Sequence, residues 1–330
     1  MRFERKTPEM KPAFEERMKK LLGKEFEDYT KILKISPVRS IRCNTIKISP
    51  EELIEKLAEN KWQIKQPWKG HPEVMIIEGK IKDGNLVDLE PGELGRSLEH
   101  MLGYYYVQEL ASMLPIISLK PKEGETFLDV CAAPGSKTTQ AAAVMKNTGN
   151  IIANEVSMGR LSILASNLEK CGVTTAIISK RDGVAICQRF QRNEMFFDKI
   201  LVDAPCSGEG TLRSTPKTYD MWNMKIIESL SKLQKQLFRE GFKALKVGGE
   251  MIYSTCTHAP EENERIVSNM LEEFGNAIEI LDTELPIKTR EGITEWNEEK
   301  YDKRVKKCSR VYPQDNDTEG FFVSKFRRLK

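Results

Sequence analysis

Two cysteines stand in short polar segments, each directly after an apolar run of the sequence. Cys206 lies in DAPCSGEG, and Cys256 lies in YSTCT. The apolar runs KILV (199–202) and EMIYS (250–254) predict buried strands that end at these segments. Because chemistry in an open α/β sheet is usually placed at the carboxyl ends of strands, the two thiols are expected to serve one reaction centre.

Two thiols beside an acid suit addition to a pyrimidine ring. Carbon 5 of cytosine is a poor nucleophile, but a thiolate that adds to carbon 6 makes an enamine that can attack an electrophilic methyl group. The methylated adduct must then lose its carbon-5 proton and expel the thiol, so one cysteine can start the reaction and a second residue can help to end it. An acid near the ring nitrogen would stabilise the developing charge, and Asp203 is placed to do this.

A free cysteine is more often an inert, small core residue. We adopt that interpretation for Cys43, Cys171 and Cys187. The role of Cys131 and of Cys308 stays open. Cys131 lies in the segment DVCAAPGSKT (129–138).

The segment DVCAAPGSKT (129–138) joins a predicted strand to a predicted helix and has the small residues of a ligand-binding loop. Its single glycine does not match the GxGxxG pattern of dinucleotide sites, and Ser136 separates Gly135 from Lys137, which breaks the P-loop pattern. A ligand without phosphates, bound by backbone amides and an acid, remains. S-adenosylmethionine is such a ligand.

Acidic residues follow the next two predicted strands. Glu155 ends the second strand, where a carboxylate can accept hydrogen bonds from both ribose hydroxyls. Asp182 follows the third strand, where a carboxylate can reach the adenine amino group. Either acid alone is more simply explained as a helix cap or part of a solvated loop. All three strand ends together favour a cofactor site.

The elements that must position these residues divide the chain in two. Residues 1–103 mix short helices and strands, which is typical of a small α+β module, whereas strands and helices alternate over residues 104–330. The second pattern predicts an α/β fold of the Rossmann type with a mostly parallel, seven-stranded sheet. Its strands are expected at 126–130, 150–154, 175–179, 199–202 and 251–254, with a closing hairpin at 310–311 and 321–326. A long helix is expected to end at Gly248 and Gly249, and another helix is expected to open at Pro260 with Glu261 and Glu262 in its first turn, where the helix dipole favours acids.

Composition limits the remaining possibilities. The chain has 330 residues, a net charge of +3, seven cysteines without a CxxC pair, and three histidines, so no structural metal site is expected. No apolar run is long enough to cross a membrane, and we expect a cytoplasmic protein with reduced thiols, most simply a monomer. Basic residues crowd both ends of the chain. They predict either a solvated surface or a rim that grips phosphates.

The segments DVCAAPGSKT, DAPCSGEG and YSTCT, in this order, resemble the signatures of the Sun (Fmu) family of RNA cytosine-5 methyltransferases. The resemblance covers roughly residues 36 to 326 and includes IRCNT (41–45) and YVQELASM (106–113). One departure is Ser136, which replaces the second glycine of the usual Gly-Gly-Lys-Thr run. Serine can keep a helical entry at this point.

The resemblance implies a Rossmann-type methyltransferase domain behind an N-terminal RNA-binding module. It implies that Cys256 is the nucleophile, that Cys206 assists product release, that Lys137 faces the target base and that Arg160 braces the loop around Glu155. By the same match, the site for S-adenosylmethionine and the base is lined by Cys131, Ala132, Ala133, Pro134, Gly135, Ser136, Lys137, Glu155, Arg160, Asp182 and Asp203.

Three functions are compatible with these motifs. The first is 5-methylcytosine formation in RNA, with transfer RNA as the expected substrate and ribosomal RNA as the alternative. The second is DNA cytosine methylation, but the resembling DNA enzymes use the Pro-Cys thiol as nucleophile, and the match of Cys256 argues against it. The third is a non-enzymatic RNA-binding factor, which would not need Cys206, Cys256 and Asp203 together.

Overall fold

The computed structural model describes residues 9–330 and contains two main sheets. The first is antiparallel, with strand order β2-β3-β1-β5 and β4 beside β3. The elements of this part are α1 (Pro12–Leu22), α2 (Phe26–Leu33), β1 (Ser40–Cys43), α3 (Pro50–Glu59), β2 (Trp62–Lys65), β3 (Val74–Lys82), β4 (Asn85–Val87), α4 (Glu93–Arg96), α5 (Leu98–Met101) and β5 (Tyr105–Val107).

The second sheet has nine strands, in the order β12-β15-β16-β10-β9-β6-β7-β8, with β11 also paired to β16. Its elements are α6 (Leu110–Leu119), β6 (Thr126–Asp129), α7 (Ser136–Val144), β7 (Asn150–Asn154), α8 (Met158–Cys171), β8 (Ala176–Ser179), α9 (Gly183–Arg192), β9 (Phe197–Asp203), α10 (Lys217–Met221), α11 (Met224–Lys243), β10 (Leu245–Thr255), α12 (Glu264–Phe274), β11 (Ile278–Leu281), β12 (Arg290–Glu291), β13 (Glu295–Trp296), β14 (Glu299–Lys300), β15 (Ser309–Val311), α13 (Pro313–Asn316) and β16 (Phe321–Arg328). The short strands β13 and β14 pair only with each other.

The five central strands, from β10 to β8, are parallel, and β16 runs antiparallel to β10. This arrangement confirms the predicted α/β class and the C-terminal hairpin. The predicted number of strands was wrong, because β11 and β12 add two. These strands are four and two residues long, too short for a hydrophobic period to reveal.

Two local predictions around β10 were also wrong. Gly248 and Gly249 were expected to end a helix, but α11 ends at Lys243 and both glycines lie inside β10. They occupy the stretch between Leu245 and Glu250 where the register with β9 shifts, an irregularity that glycine accommodates. The helix expected to open at Pro260 begins at Glu264.

The N-terminal residues pack against the second sheet in two separate ways. Helices α1 and α2 share a core with Trp222 and Tyr312 of the C-terminal part. The small sheet is joined through Arg42 of β1, which is fully buried and donates to the Ser136 carbonyl oxygen (2.7 Å) and to Thr139 Oγ1 (2.8 Å) of α7. The small sheet also includes β5, which the predicted boundary at residues 103–104 assigned to the second domain. The division into two domains stays a prediction.

Candidate active site

The two thiols meet at the carboxyl edge of the parallel strands. Strands β9 and β10 are parallel neighbours, with Asp203 beside Ser254, so the segments that follow them leave the sheet together. The Sγ atoms of Cys206 and Cys256 lie 3.3 Å apart. The loops are also joined by a hydrogen bond between the hydroxyls of Ser207 and Thr257 (2.8 Å).

An acid and a lysine lie at the same edge. Asp203 Oδ2 is 2.8 Å from Lys137 Nζ, and its Oδ1 accepts a hydrogen bond from Ser254 Oγ (2.7 Å). Lys137 stands in the first turn of α7 and also donates to Ser112 Oγ (2.9 Å). The structure therefore brings together the base-facing residues that the sequence predicted. Ser112, on α6, has no chemical motif around it and was not predicted.

A cavity of about 650 Å³ opens between the small sheet and this edge. Cys256, Asp203 and Lys137 line it, whereas Cys206 is not among its lining residues. The other lining residues are Ser36, Pro37, Val38, Arg39, Ser40, Pro91, Leu94, Val107, Gln108, Glu109, Ser112, Ala204, Thr211, Ser214, Glu319 and Phe321. A cavity of this size can enclose a drug-sized ligand, which is larger than one nucleobase.

The surroundings of the two thiols differ. The contact with Cys256, followed by burial, raises the pKa of Cys206 well above its ordinary value. The raised pKa favours the protonated form of Cys206, whose sulfur is in contact with the sulfur of Cys256. Cys256 is the thiol of the pair that a ligand in the cavity can reach.

Among the other five thiols, burial also favours the protonated form. It raises the pKa of Cys43 and of Cys187 to about 12, and it raises that of Cys131 well above the ordinary value. All seven cysteines of the chain are free. The expectation of inert core residues agrees with the burial of Cys43, Cys171 and Cys187.

The loop between β6 and α7 is folded back by its own backbone. The Ala132 amide donates to the Asn154 carbonyl oxygen (2.8 Å), and the Gly135 amide donates to the Ala132 carbonyl oxygen (2.8 Å). Gly135 has a φ of 104°, and a Cβ there would lie 3.0 Å from Leu164 Cδ1. The position therefore requires glycine, and the loop comprises the predicted residues Cys131, Ala132, Ala133, Pro134, Gly135 and Ser136.

Glu155 and Arg160 are brought onto this loop. Glu155 is 2% exposed, and its carboxylate accepts a hydrogen bond from the Ser157 amide (2.9 Å) and pairs with Arg160 (3.2 Å). Arg160 also donates to the Ala133 carbonyl oxygen. The arginine thus connects the acid at the end of β7 to the loop at the end of β6.

Asp182 lies at the third strand end and caps α9, where its Oδ1 accepts from the Ala185 amide (3.0 Å). The helix-cap interpretation therefore accounts for one of its oxygens. The strand ends are connected by Asn154, whose side chain donates to the carbonyl oxygens of Val130 (3.1 Å) and Arg181 (3.0 Å). Sequence reasoning missed Asn154, and its position directly before Glu155 was the available signal.

Asp129, at the base of the loop, is buried and only half satisfied. Its Oδ2 accepts from Thr138 Oγ1 (2.7 Å), and its Oδ1 has no hydrogen-bond partner. Burial raises the pKa of Asp129 to about 7, and the charge of Asp203 adds to the effect. Together with Glu155, this acid offers acceptors to a ligand that carries hydroxyl and amino groups. The residues therefore fit S-adenosylmethionine. Within residues 9–330, no group of three or more His, Cys, Asp or Glu could hold a metal ion.

Comparison with known proteins identifies the family. Residues 116–327 match the family model of 16S rRNA methyltransferase RsmB/F, and residues 10–110 match the N-terminal domain of 16S rRNA methyltransferase RsmF. The chain is 39% identical over 325 residues to the tRNA (cytosine(49)-C(5))-methyltransferase of Pyrococcus abyssi, covering 96% of this chain and 99% of that protein. It is 37% identical over 302 residues to ribosomal RNA small subunit methyltransferase F of Vibrio cholerae, covering 88% of this chain but only 58% of that protein.

Solved structures give the same result. A methyltransferase homologue from Pyrococcus horikoshii aligns with a TM-score of 0.81 at 31% identity, covering 96% of this chain and 95% of that chain. NSun6 from Pyrococcus horikoshii, solved with SFG, an analogue of S-adenosylmethionine, aligns with a TM-score of 0.80 at 26% identity, covering 97% and 98% of the two chains. The predicted fold class and the predicted RNA cytosine methyltransferase activity are confirmed. The chain belongs to the RsmB/F family of RNA methyltransferases.

Proposed function

We propose that this enzyme transfers a methyl group from S-adenosylmethionine to carbon 5 of cytosine in transfer RNA, with Cys256 bonded to the base during the reaction. The observation that carries the proposal is the pair of thiols 3.3 Å apart, of which only Cys256 lines the cavity that Asp203 and Lys137 also line.

Each side chain has a role in this reaction. Cys256 adds to carbon 6 of the cytosine held in the cavity. Asp203 faces the ring nitrogen, and Lys137, 2.8 Å from it, holds the acid in place and contributes positive charge where the ring becomes electron-rich. S-adenosylmethionine supplies the electrophilic methyl group. The carbon-5 proton then passes to water, its electron pair forms the double bond between carbons 5 and 6, and the bond from carbon 6 to the Cys256 sulfur breaks with its pair going to the sulfur.

Cys206 assists that departure. Its thiol keeps a proton and lies within contact of the Cys256 sulfur, so it can donate to the sulfur as the bond to carbon 6 breaks. The Cys256 sulfur then leaves as a thiol, and Cys206 regains a proton from water before the next turnover.

The cofactor would lie across the three strand ends. The backbone of residues 131–136 would surround it, Glu155 would accept from the ribose hydroxyls, and Asp182 would meet the adenine. Arg160 acts through the loop that it braces. The support for this placement is the unpartnered oxygen of Asp129 and the buried carboxylate of Glu155 beside the loop.

Transfer RNA is favoured over ribosomal RNA by coverage. The chain covers 99% of the transfer RNA methyltransferase of Pyrococcus abyssi. It covers only 58% of ribosomal RNA small subunit methyltransferase F of Vibrio cholerae. The alternative substrate, 16S ribosomal RNA, is supported by both matching family models, which describe 16S rRNA methyltransferases. We assign RNA binding to residues 1–103, catalysis to residues 104–330, and the enzyme to the cytoplasm, where free thiols are stable.

The basic ends contribute less to RNA binding than their charge indicates. Arg17 is buried and paired with Glu261, and Arg310 is buried and paired with Glu264 (2.5 Å). Arg2, Arg5 and Lys6 lie outside the described residues. Lys19, Lys303 and Lys306 remain exposed and can still face phosphates.

No helix within residues 9–330 is both long enough and apolar enough to span a bilayer.

The test is methylation of defined transcripts. The protein is incubated with labelled S-adenosylmethionine and with either transfer RNA transcripts or 16S ribosomal RNA fragments, and bisulfite sequencing then locates 5-methylcytosine. We expect label in transfer RNA with the native protein and none with Cys256→Ala. Label confined to ribosomal RNA would establish the alternative, and label in neither would overturn the proposal.

A further inference from the structure

A buried carboxyl group in the cavity wall has no role in the reaction described above. Glu319 stands between α13 and β16, is 3% exposed, and lines the same cavity as Cys256. Neither of its carboxyl oxygens accepts a hydrogen bond of standard geometry, although the hydroxyl and the amide of Ser214 lie near enough to lower its pKa. A buried acceptor left unpaired is costly, so such a group in a ligand cavity indicates that the ligand supplies the donor.

The backbone fixes Glu319 close to the nucleophile. The Gly320 amide donates to the Gly210 carbonyl oxygen (2.8 Å), and the Gly210 amide donates to the Cys256 carbonyl oxygen (2.9 Å). The segment that carries Glu319 is therefore two backbone hydrogen bonds away from Cys256. A Cβ at Gly320 would lie 2.2 Å from His258 Cε1, which shows how closely these segments approach each other.

A second buried carboxyl group of the same wall provides the contrast. Glu109 caps α6, where its Oε2 accepts from the amides of Ala111 (2.7 Å) and Ser112 (3.2 Å), and its Oε1 accepts from the Glu319 amide (2.9 Å). Both of its oxygens are used inside the protein. Of these two acids, Glu319 is the one with acceptor capacity left for a ligand.

The electrostatic surroundings of Glu319 agree with this assignment. Burial raises its pKa to about 7, Glu109 raises it further, and Ser214 and Arg213 partly offset the effect. A donor on a bound ligand would favour the charged form and relieve the cost of burial.

We propose that Glu319 determines specificity by accepting a hydrogen bond from an RNA nucleotide held in the cavity, either from a ribose 2′-hydroxyl or from the exocyclic amino group of a base. The proposal rests on the proposed function. Asp203 and Lys137 meet the target ring beside Cys256, and the cavity is larger than one base, so the donor belongs to the ribose of the target or to a nucleotide next to it.

The test pairs protein variants with RNA variants. The native protein, Glu319→Leu, Glu319→Gln and the matched control Glu109→Gln are compared on a transfer RNA transcript that is a substrate. They are also compared on the same transcript with 2′-deoxycytidine at the target, and with an adjacent amino-bearing base replaced by its keto counterpart. Both kcat/KM for methylation and the equilibrium dissociation constant of each RNA are measured.

We expect the native protein to discriminate against one altered RNA by about tenfold, and Glu319→Leu to lose that discrimination. Glu319→Gln keeps one acceptor and should be intermediate. Glu109→Gln should lower the melting temperature but keep the discrimination. The RNA that shows the effect identifies the donor, hydroxyl or amino group.

Equal discrimination by the native protein and Glu319→Leu on every RNA would overturn the proposal, as would loss of discrimination in Glu109→Gln. Failure of the proposed function gives a different result, namely no methylation of the unaltered transcript by the native protein. The dissociation constants would still test Glu319 in that case, because binding does not require turnover.

Discussion

The two thiols of the active centre are neighbours, but they are held by different kinds of contact. Cys256 lines the cavity, and its carbonyl oxygen is fixed by the Gly210 amide, so the backbone positions it. The loop of Cys206 is held by one side chain, because the Ser207 amide (3.0 Å), the Ser207 hydroxyl and the Gln234 side chain (2.7 Å) all donate to the carboxyl group of Glu262.

This difference matches the two roles that we propose. A nucleophile must be placed accurately against carbon 6, and close backbone packing is the most rigid support available. A proton donor needs a protonated thiol within reach of the sulfur. A loop tied to one buried carboxyl group supplies that. The variants below test whether the two supports carry different functions.

The largest effect is expected from removal of the cavity-facing thiol. Cys256→Ala should lower methylation by about 10⁴-fold or more, because Cys206, the other thiol of the pair, does not line the cavity that would hold the base. It should also abolish the covalent protein–RNA complex, measured by denaturing gel electrophoresis with labelled RNA. An adduct that survives in this variant and requires Cys206 would reverse the assignment of the two roles.

Removal of the second thiol should produce the opposite gel result. Cys206→Ala should slow turnover by about 100-fold, because the departing sulfur loses its proton donor, and the adduct should accumulate. Cys187→Ala, which alters a buried thiol elsewhere, should leave the adduct level unchanged. Slow turnover without accumulated adduct would show that Cys206 acts before the base is bound.

A change in the backbone support should affect the nucleophile without touching any thiol. A Cβ at Gly210 would lie 2.3 Å from the Gly320 carbonyl oxygen and 2.8 Å from the Cys256 carbonyl oxygen. Gly210→Ala should therefore displace Cys256 and lower kcat by about 100-fold. Gly95→Ala, where a Cβ meets nothing within 4 Å, is the control. Unchanged kcat in Gly210→Ala would mean that the backbone support is dispensable.

The support of Cys206 should give a stability that depends on pH. Burial raises the pKa of Glu262 to about 7, although Ser207 and Gln234 partly offset this effect. The protonated form of Glu262 therefore contributes to the free energy of unfolding. This contribution is fully present below pH 4.5 and is lost as the pH rises through 7. Glu262→Gln should remove this loss of unfolding free energy, on the order of 3 kcal/mol, in urea unfolding measured from pH 4 to 8. If the free energy of unfolding changed with pH equally in the native protein and in Glu262→Gln, the prediction would be contradicted.

The segment that follows Cys256 should give the free energy of unfolding the opposite dependence on pH. Burial, with Arg310 nearby, lowers the pKa of His258 to about 3, and the ring stacks on Tyr312 at 4.9 Å. The folded state therefore prefers the neutral imidazole, so stability is complete above pH 6.5 and falls as the pH drops towards 3. His258→Gln should reduce the decrease in the free energy of unfolding between pH 6.5 and 5 by about 1–2 kcal/mol. An equal decrease in the variant and the native protein would show that groups other than His258 cause the loss of stability in acid.

Much of the cofactor side could be predicted from the sequence, because each part is local. The loop after β6, Glu155 after β7 and Asp182 after β8 each follow an apolar run, and parallel strands place their ends at one edge. The same reasoning brought Cys206 and Cys256 together. Their observed distance adds what a pattern cannot give, namely that the two sulfurs are in contact.

The substrate side could not be predicted in this way. Ser112, Glu319 and Ser36 belong to segments far apart in the chain, and only tertiary packing brings them to one cavity. Glu262 was assigned to the first turn of a helix, where an acid is favoured by the helix dipole, but the helix begins at Glu264 and Glu262 is buried instead. Burial of a polar residue depends on the whole fold, and local propensity does not report it.

The contact between the two sulfurs also makes the centre sensitive to oxidation. An oxidant that removes two electrons and two protons from the pair would join Cys206 to Cys256 and eliminate the proposed nucleophile and its proposed proton donor in a single event. A thiol reductant would restore both. Under the proposed mechanism the active form of the centre is the dithiol, so the fraction of active enzyme would depend on the redox potential of its surroundings as well as on the supply of RNA and methyl donor.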